Sequence, residues 1–151
     1  MNKKKLLEIS GTLTDLPNIS KKISTLLLKD QKFCLWLQGD LGAGKTTFTG
    51  YLLRSIGLPD IIPVTSPTFA YINEYEINQM LYAHLDLYRI ESDTFNSEDL
   101  GINEERDFRG IFVEWPEKIT DKHDLMPTHL LEISASDDLS TRTYRLYKLG
   151  F

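Results

Sequence analysis

The sequence predicts an α/β domain: a mixed, mainly parallel central sheet that also holds antiparallel strands, with helices on both faces. Three observations carry this. An apolar run at 33–38, too short for a helix, reads as a buried strand that passes through a glycine-rich turn into a helix. A second apolar run at 111–113 reads as another buried strand and ends on a carboxylate, Glu114. Elsewhere, stretches of alternating or β-rich residues bounded by turn signals suggest paired antiparallel strands. Strand, helix and strand in alternation make an α/β sheet.

The elements follow in order. Leu16, Ile19, Ile23, Leu26 and Leu27 recur at helical spacing, which predicts a helix over 14–29 with Thr14 or Asp15 at its start. Residues 39–44 form the glycine-rich turn. A second helix covers 45–56, with Phe48, Tyr51 and Leu52 along one side, and Gly57 and Pro59 stop it. Strands at 69–77 and 80–88 are joined through Asn78-Gln79 as a hairpin. The polar segment 91–106 holds Ser97 as the cap of a short helix that runs into Leu100 and Ile102. Two further strands, 129–134 and 142–149, are linked by a turn at 137–140. The chain has no internal repeat, no linker and no low-complexity tract, so one domain over 1–151 is expected.

Composition narrows the function classes. With 41% hydrophobic and 26% charged residues, the 151-residue chain has the makings of a core and is not a disordered chain. A net charge of −5 gives no overall basic field for gripping nucleic acid directly. Cys34 is the single cysteine, so it has no disulfide partner within the chain, and its apolar neighbours read it as a small buried hydrophobe. The start, MNKKKLLEIS, lacks the apolar stretch of a signal peptide. No window approaches the ~18 apolar residues of a membrane span. A cytoplasmic protein with no membrane association is expected.

The strongest chemical signal is Gly39-Asp40-Leu41-Gly42-Ala43-Gly44-Lys45-Thr46, which fits G-x-x-x-x-G-K-[ST], the P-loop. Its glycines let the backbone bend around an anion, and successive N–H groups converge on phosphate oxygens at a helix N-terminus. Lys45 adds a positive charge at the β- and γ-phosphates. Thr46 offers a hydroxyl to Mg²⁺, which prefers hard oxygen ligands. Thr47 follows on the first turn of the helix. Context supports the match, because a buried strand precedes the loop and a helix follows it. ATP and Mg²⁺ are thus the expected ligands.

Phosphoryl transfer also needs a carboxylate beside the loop and a group to orient the attacking water. Glu114 ends the 111–113 strand in the right place for the first. In 84–89, His84, Asp86 and Tyr88 share one face and Leu85 and Leu87 the other. That polar face either lines the triphosphate pocket or is a solvated hairpin face. Ser66-Pro67-Thr68 reads as a loop that senses the γ-phosphate or as a proline turn. Trp115 either covers the nucleotide or is an ordinary buried indole.

Together these pieces resemble one family, the bacterial tRNA threonylcarbamoyladenosine biosynthesis ATPase TsaE. The likeness rests on GDLGAGKTTF (39–48), SPTF (66–69), HLDLYR (84–89), EDLGI (98–102) and EWPE (114–117). It implies a P-loop fold and Mg-ATP hydrolysis in support of a partner complex. That complex, with TsaD and TsaB, forms threonylcarbamoyladenosine next to the tRNA anticodon, so tRNA is met only indirectly. By the same likeness, Lys45 binds phosphate, Thr46 and Glu114 hold Mg²⁺, and Asp86 positions water or completes the metal shell. Ser66 and Thr68 form the switch loop, and Trp115 lies close to the nucleotide.

Other readings of a P-loop remain. A GTPase is suggested by Asp107-Phe108-Arg109-Gly110 as D-x-x-G and by 121–124, one residue from N-K-x-D, but their order is wrong. A small-molecule kinase usually carries an Arg-rich lid over the phosphates, and here Arg106 and Arg109 form only a sparse pair in 91–110. A non-catalytic nucleotide-binding partner would bind ATP without releasing phosphate.

Overall fold

In the computed structural model, the described residues are 2–40, 42–67, 71–88, 90, 102, 106–118 and 125–150. Seven strands form one sheet: β1 (Asn2–Gly11), β2 (Phe33–Gln38), β3 (Ile72–Ile77), β4 (Met80–Asp86), β5 (Phe108–Glu114), β6 (His129–Ala135) and β7 (Arg142–Gly150). Their order is β1-β7-β6-β2-β5-β4-β3. The four inner strands β6, β2, β5 and β4 run parallel, and β7, β1 and β3 add antiparallel edges. The sheet is therefore mixed as expected, with parallel and antiparallel pairs in equal number.

Two helices, α1 (Leu16–Leu27) and α2 (Lys45–Ile56), pack together on one face. Leu16, Ile19, Ile23 and Leu27 of α1 meet Phe48, Leu52 and Leu53 of α2 over Leu35, Leu37, Phe112 and Leu146. Phe48 also stacks on Tyr144 of β7 with ring centroids 4.5 Å apart. The opposite face buries Cys34, Ala83, Leu85 and Val113 under Leu87, Ile90, Ile102 and Leu125. Both described α-helices thus lie on the first face. The short helix expected from Ser97 falls outside the described residues, although Ile102 within that segment is buried.

Local chemistry explains the boundaries. The expected 14–29 helix is shorter because residues Leu13–Asp15 form a 3-10 turn, in which the Asp15 carboxylate accepts the Thr12 N–H at 2.8 Å. Gly57, at φ 139°, closes α2 where expected. Asn78 and Gln79 both take positive φ, 52° and 67°, as a two-residue hairpin turn requires. Strand β3 starts at Ile72 rather than 69, since Tyr71 has φ 58° and 69–70 lie outside the described residues.

Strand β1 is the element the pattern does not announce. Its lysines face solvent, and charge along a sheet edge blocks pairing with other chains. Only Leu6, Leu7 and Ile9 pack against the core. Cys34 is buried as expected, and burial pushes its thiol up to about 12, which leaves no reactive thiolate. Among the described residues, no helix is long and apolar enough to cross a membrane.

His129, 1% exposed at the start of β6, carries a pH dependence. Burial, then the Lys148 ammonium, pushes it down from 6.5 to about 4. The unfolded imidazole takes a proton below about 6.5, whereas the folded one resists until near 4. Its contribution is therefore complete above pH 6.5 and is lost as pH falls toward 4, on the order of 3 kcal/mol at the limit. Urea unfolding at pH 7 and pH 4.5 is expected to show a smaller acid-induced loss in His129→Gln than in the wild type. Equal losses would contradict this.

Candidate active site

The parallel register assembles the site. Leu37 of β2 pairs with Glu114 of β5, and Asp86 of β4 pairs with the same Glu114. Three strand ends therefore reach one edge of the sheet, where the chain leaves β2 into the loop and enters α2.

Within the loop, Ala43 donates its N–H to the Asp40 carbonyl at 2.9 Å, and Phe48 N–H caps back to Gly44 O at 2.9 Å. Gly42 and Gly44 take φ 83° and 98°, the left-handed region that a side chain would strain. At Gly39 the constraint is space: a Cβ there would lie 2.6 Å from the Ile133 carbonyl oxygen. Ala43 is buried, Asp40 is exposed, and Leu41 lies outside the described residues.

Lys45 is 5% exposed. Its ammonium donates to Gly39 O at 2.5 Å and to Asp40 O at 3.4 Å, and it sits 3.8 Å over the Trp115 ring. Burial is the largest influence and holds the ammonium below the usual lysine range, against the pull of Glu114, Glu117, Asp86 and Asp40. The Thr46 hydroxyl reaches both carboxylate oxygens of Glu114, at 3.0 and 2.8 Å. Glu114 Oε2 also receives His84 Nε2 at 2.5 Å. Ser66 donates its hydroxyl to Asp86 Oδ2, and the Tyr88 N–H donates to Oδ1 at 3.1 Å. Trp115, at φ 60°, stacks on Tyr88 with ring centroids 4.9 Å apart.

A cavity of about 400 Å³ opens over these groups, with Lys45, Thr46, Ser66, Asp86, Glu114 and Trp115 in its wall and Thr47 at its rim. The alternation in 84–88 therefore points His84 and Asp86 toward the loop, and the solvated-hairpin alternative does not hold. Thr68 falls outside the described residues. Two contributors were not legible in the sequence. His84 binds Glu114 from the neighbouring strand, and Arg142 Nε donates to Ala43 O at 2.9 Å from 99 residues away. The polar face of 84–88 hinted at the first, and nothing local marks the second.

The donor set fits Mg²⁺ in the way that ion is usually held. Thr46 and Glu114 would supply two hard oxygens beside the loop, leaving the rest of the shell to phosphate and water. Among the described residues, no group of three or more His, Cys, Asp or Glu side chains makes a metal cage on its own. The GTPase piece at 121–124 lies outside the described residues, and the other GTPase and kinase pieces are misplaced for this site. Asp107, Arg106 and Arg109 stand at the start of β5, opposite the end that carries Glu114. There Asp107 pairs with Lys32, Arg106 with Glu74, and Arg109 donates to Leu28 O.

This strand, glycine loop and helix, on a mixed sheet with a carboxylate ending the adjacent strand, define a P-loop α/β protein. The chain belongs to the TsaE family: the family described as threonylcarbamoyl adenosine biosynthesis protein TsaE matches residues 11–144. It is 42% identical over 108 residues to the tRNA threonylcarbamoyladenosine biosynthesis protein TsaE of Bacillus subtilis. That match covers 69% of this chain and 63% of the relative, so the chain spans a little under two thirds of that protein. The Aquifex aeolicus protein of the same name is 35% identical over 135 residues, 89% of this chain and 90% of the relative. Among solved structures, Bacillus subtilis YdiB superposes with a TM-score of 0.61 at 27% identity, covering 99% of this chain and 89% of the other.

The tight approach at Gly39 gives a direct check. Gly39→Ala must push the loop off the Ile133 carbonyl. Overpacking of this kind costs about 1–3 kcal/mol. A lower melting temperature is expected, and an unchanged one would show that the contact is slack.

Proposed function

We propose that this chain binds Mg-ATP on the loop 39–46 and hydrolyses it to support a TsaD and TsaB complex that forms threonylcarbamoyladenosine next to the tRNA anticodon. One observation carries the ATP reading: a buried lysine, a threonine hydroxyl and two carboxylates converge on one cavity at the mouth of a P-loop. The names of the relatives support the tRNA-modification role. The net charge of −5 agrees with a protein that meets tRNA through partners.

The residues divide the chemistry among them. Lys45 swings from the Gly39 carbonyl and the Trp115 ring onto the β- and γ-phosphates, exchanging weak acceptors for a charged one. The amides of 42–46 bind the same oxygens at the positive end of α2. Thr46 and Glu114 would hold Mg²⁺, which would supply charge neutralisation at the phosphate oxygens. Asp86 orients the attacking water, and Ser66 ties it to the 66–68 loop, which responds to the γ-phosphate. Trp115 shields that end of the site. The base lies along the groove that continues past Gly44 and Thr47 toward Thr12 and Arg142, where Leu13 and Leu139 offer exposed apolar surface.

Lys45→Ala removes a charge-assisted contact worth ~1.5–3 kcal/mol, so ATP affinity by calorimetry is expected to fall roughly 10- to 150-fold. Unchanged affinity would contradict the assignment. Glu114→Ala and Asp86→Ala are expected to lower turnover by about 10²-fold or more while affecting affinity less. Wild-type phosphate release in either variant removes that residue from the reaction. The whole reading is tested by phosphate release from the chain alone and with TsaD and TsaB, alongside a pull-down. Stimulated release is expected on association. Tight ATP binding with no phosphate released, even with both partners, would favour the non-catalytic reading. A phosphorylated small-molecule product would favour a kinase.

A further inference from the structure

We propose that His84 is a positioning residue: its imidazole holds the Glu114 carboxylate in the orientation that serves Mg²⁺ at the nucleotide. The proposal rests on the Mg-ATP reading above and adds a role for a residue that reading leaves unused.

His84 is 0% exposed and does not line the cavity, so it touches neither nucleotide nor solvent. It lies one pleat below the site on β4, opposite Phe112 of β5, while Asp86 stands opposite Glu114. From there Nε2 reaches up to Glu114 Oε2 at 2.5 Å. The tautomer that makes this bond carries its hydrogen on Nε2. The other ring nitrogen, Nδ1, is buried with no hydrogen-bond partner among the described residues. A leucine or phenylalanine would fill the same space without an orphaned polar atom, which ordinarily carries a cost. The histidine is therefore explained by its Nε2 end.

The division of the carboxylate follows. Oε2 takes both His84 and, at 2.8 Å, the Thr46 hydroxyl, whereas Oε1 takes only Thr46 among the described residues, at 3.0 Å. Were the Thr46 oxygen to bind the metal through a lone pair, its single hydrogen could serve only one oxygen of Glu114. The His84 bond to Oε2 would then keep the carboxylate from swinging and leave Oε1 for the metal. Hydrogen bonds of this kind to a ligating carboxylate are worth about 10- to 100-fold in metal affinity.

The test measures ADP affinity of the full chain by calorimetry with Mg²⁺ and with EDTA, and takes the ratio as the gain from Mg²⁺. In His84→Phe, the EDTA affinity is expected to stay within about threefold of wild type and the Mg²⁺ gain to fall about tenfold or more. His84→Gln, whose side-chain amide can still donate to Oε2, is expected to recover most of the gain. If His84→Phe does not fold, His84→Asn, too short to reach Oε2, is expected to show the same selective loss. A wild-type Mg²⁺ gain in the donor-less variant overturns the proposal, as does an equal loss in His84→Gln or a parallel fall of the EDTA affinity. A wild-type chain that binds ADP identically with and without Mg²⁺ overturns the metal reading itself, an outcome distinct from failure confined to the variants.

Discussion

The parallel pairing of β2 with β5 and of β5 with β4 is the constraint on which the site depends. It sets Leu37 and Asp86 on either side of Glu114, so the loop and both carboxylates meet at one edge of the sheet. A slip of one residue would turn Glu114 to the opposite face, among Cys34, Leu85 and Val113, where a carboxylate has no partner. The apolar alternation of β5 fixes the register: Phe112 must meet the helix face, and Ile111 and Val113 the other.

That register creates a buried polar cluster which the surrounding packing must hold. Lys45, His84 and Glu114 are all nearly inaccessible, and each is expensive to bury unpaired. Apart from His84 Nδ1, the cluster is satisfied internally. Lys45 binds loop carbonyls and the indole, and Glu114 binds Thr46 and His84. Such an arrangement is pre-organised for an anion. Under the proposed function, a polyphosphate would replace the carbonyl partners of Lys45 with stronger ones and ask little rearrangement of the loop. The Ser66 hydroxyl bonds Asp86, so a shift at Ser66 reaches that carboxylate directly.

Much of this was legible in the sequence for a physical reason. The loop must satisfy local backbone demands, and those demands are written as glycines at 39, 42 and 44 followed by Lys45 and Thr46. Helix α2 ends at Gly57, and the Asn78-Gln79 turn needs positive φ, so both announce themselves. Glu114 could be found because a carboxylate ending an apolar strand is conspicuous. What stayed hidden depends on pairing between distant segments. Strand β1 has a lysine-rich exposed edge and shows no strong alternation, so only its docking on β7 defines it. Arg142 meets Ala43 because β7 returns beside the loop. The role of His84 appears only once β4 lies against β5, since its partner is 30 residues away.

The most direct test is a crystal structure of the chain with Mg²⁺ and a non-hydrolysable ATP analogue. The account expects the triphosphate on the amides of 42–46, with the Lys45 ammonium withdrawn from the Gly39 carbonyl and placed on the β- and γ-phosphate oxygens. An intact fold with the loop empty, and Lys45 still on its own backbone at saturating analogue, would contradict it.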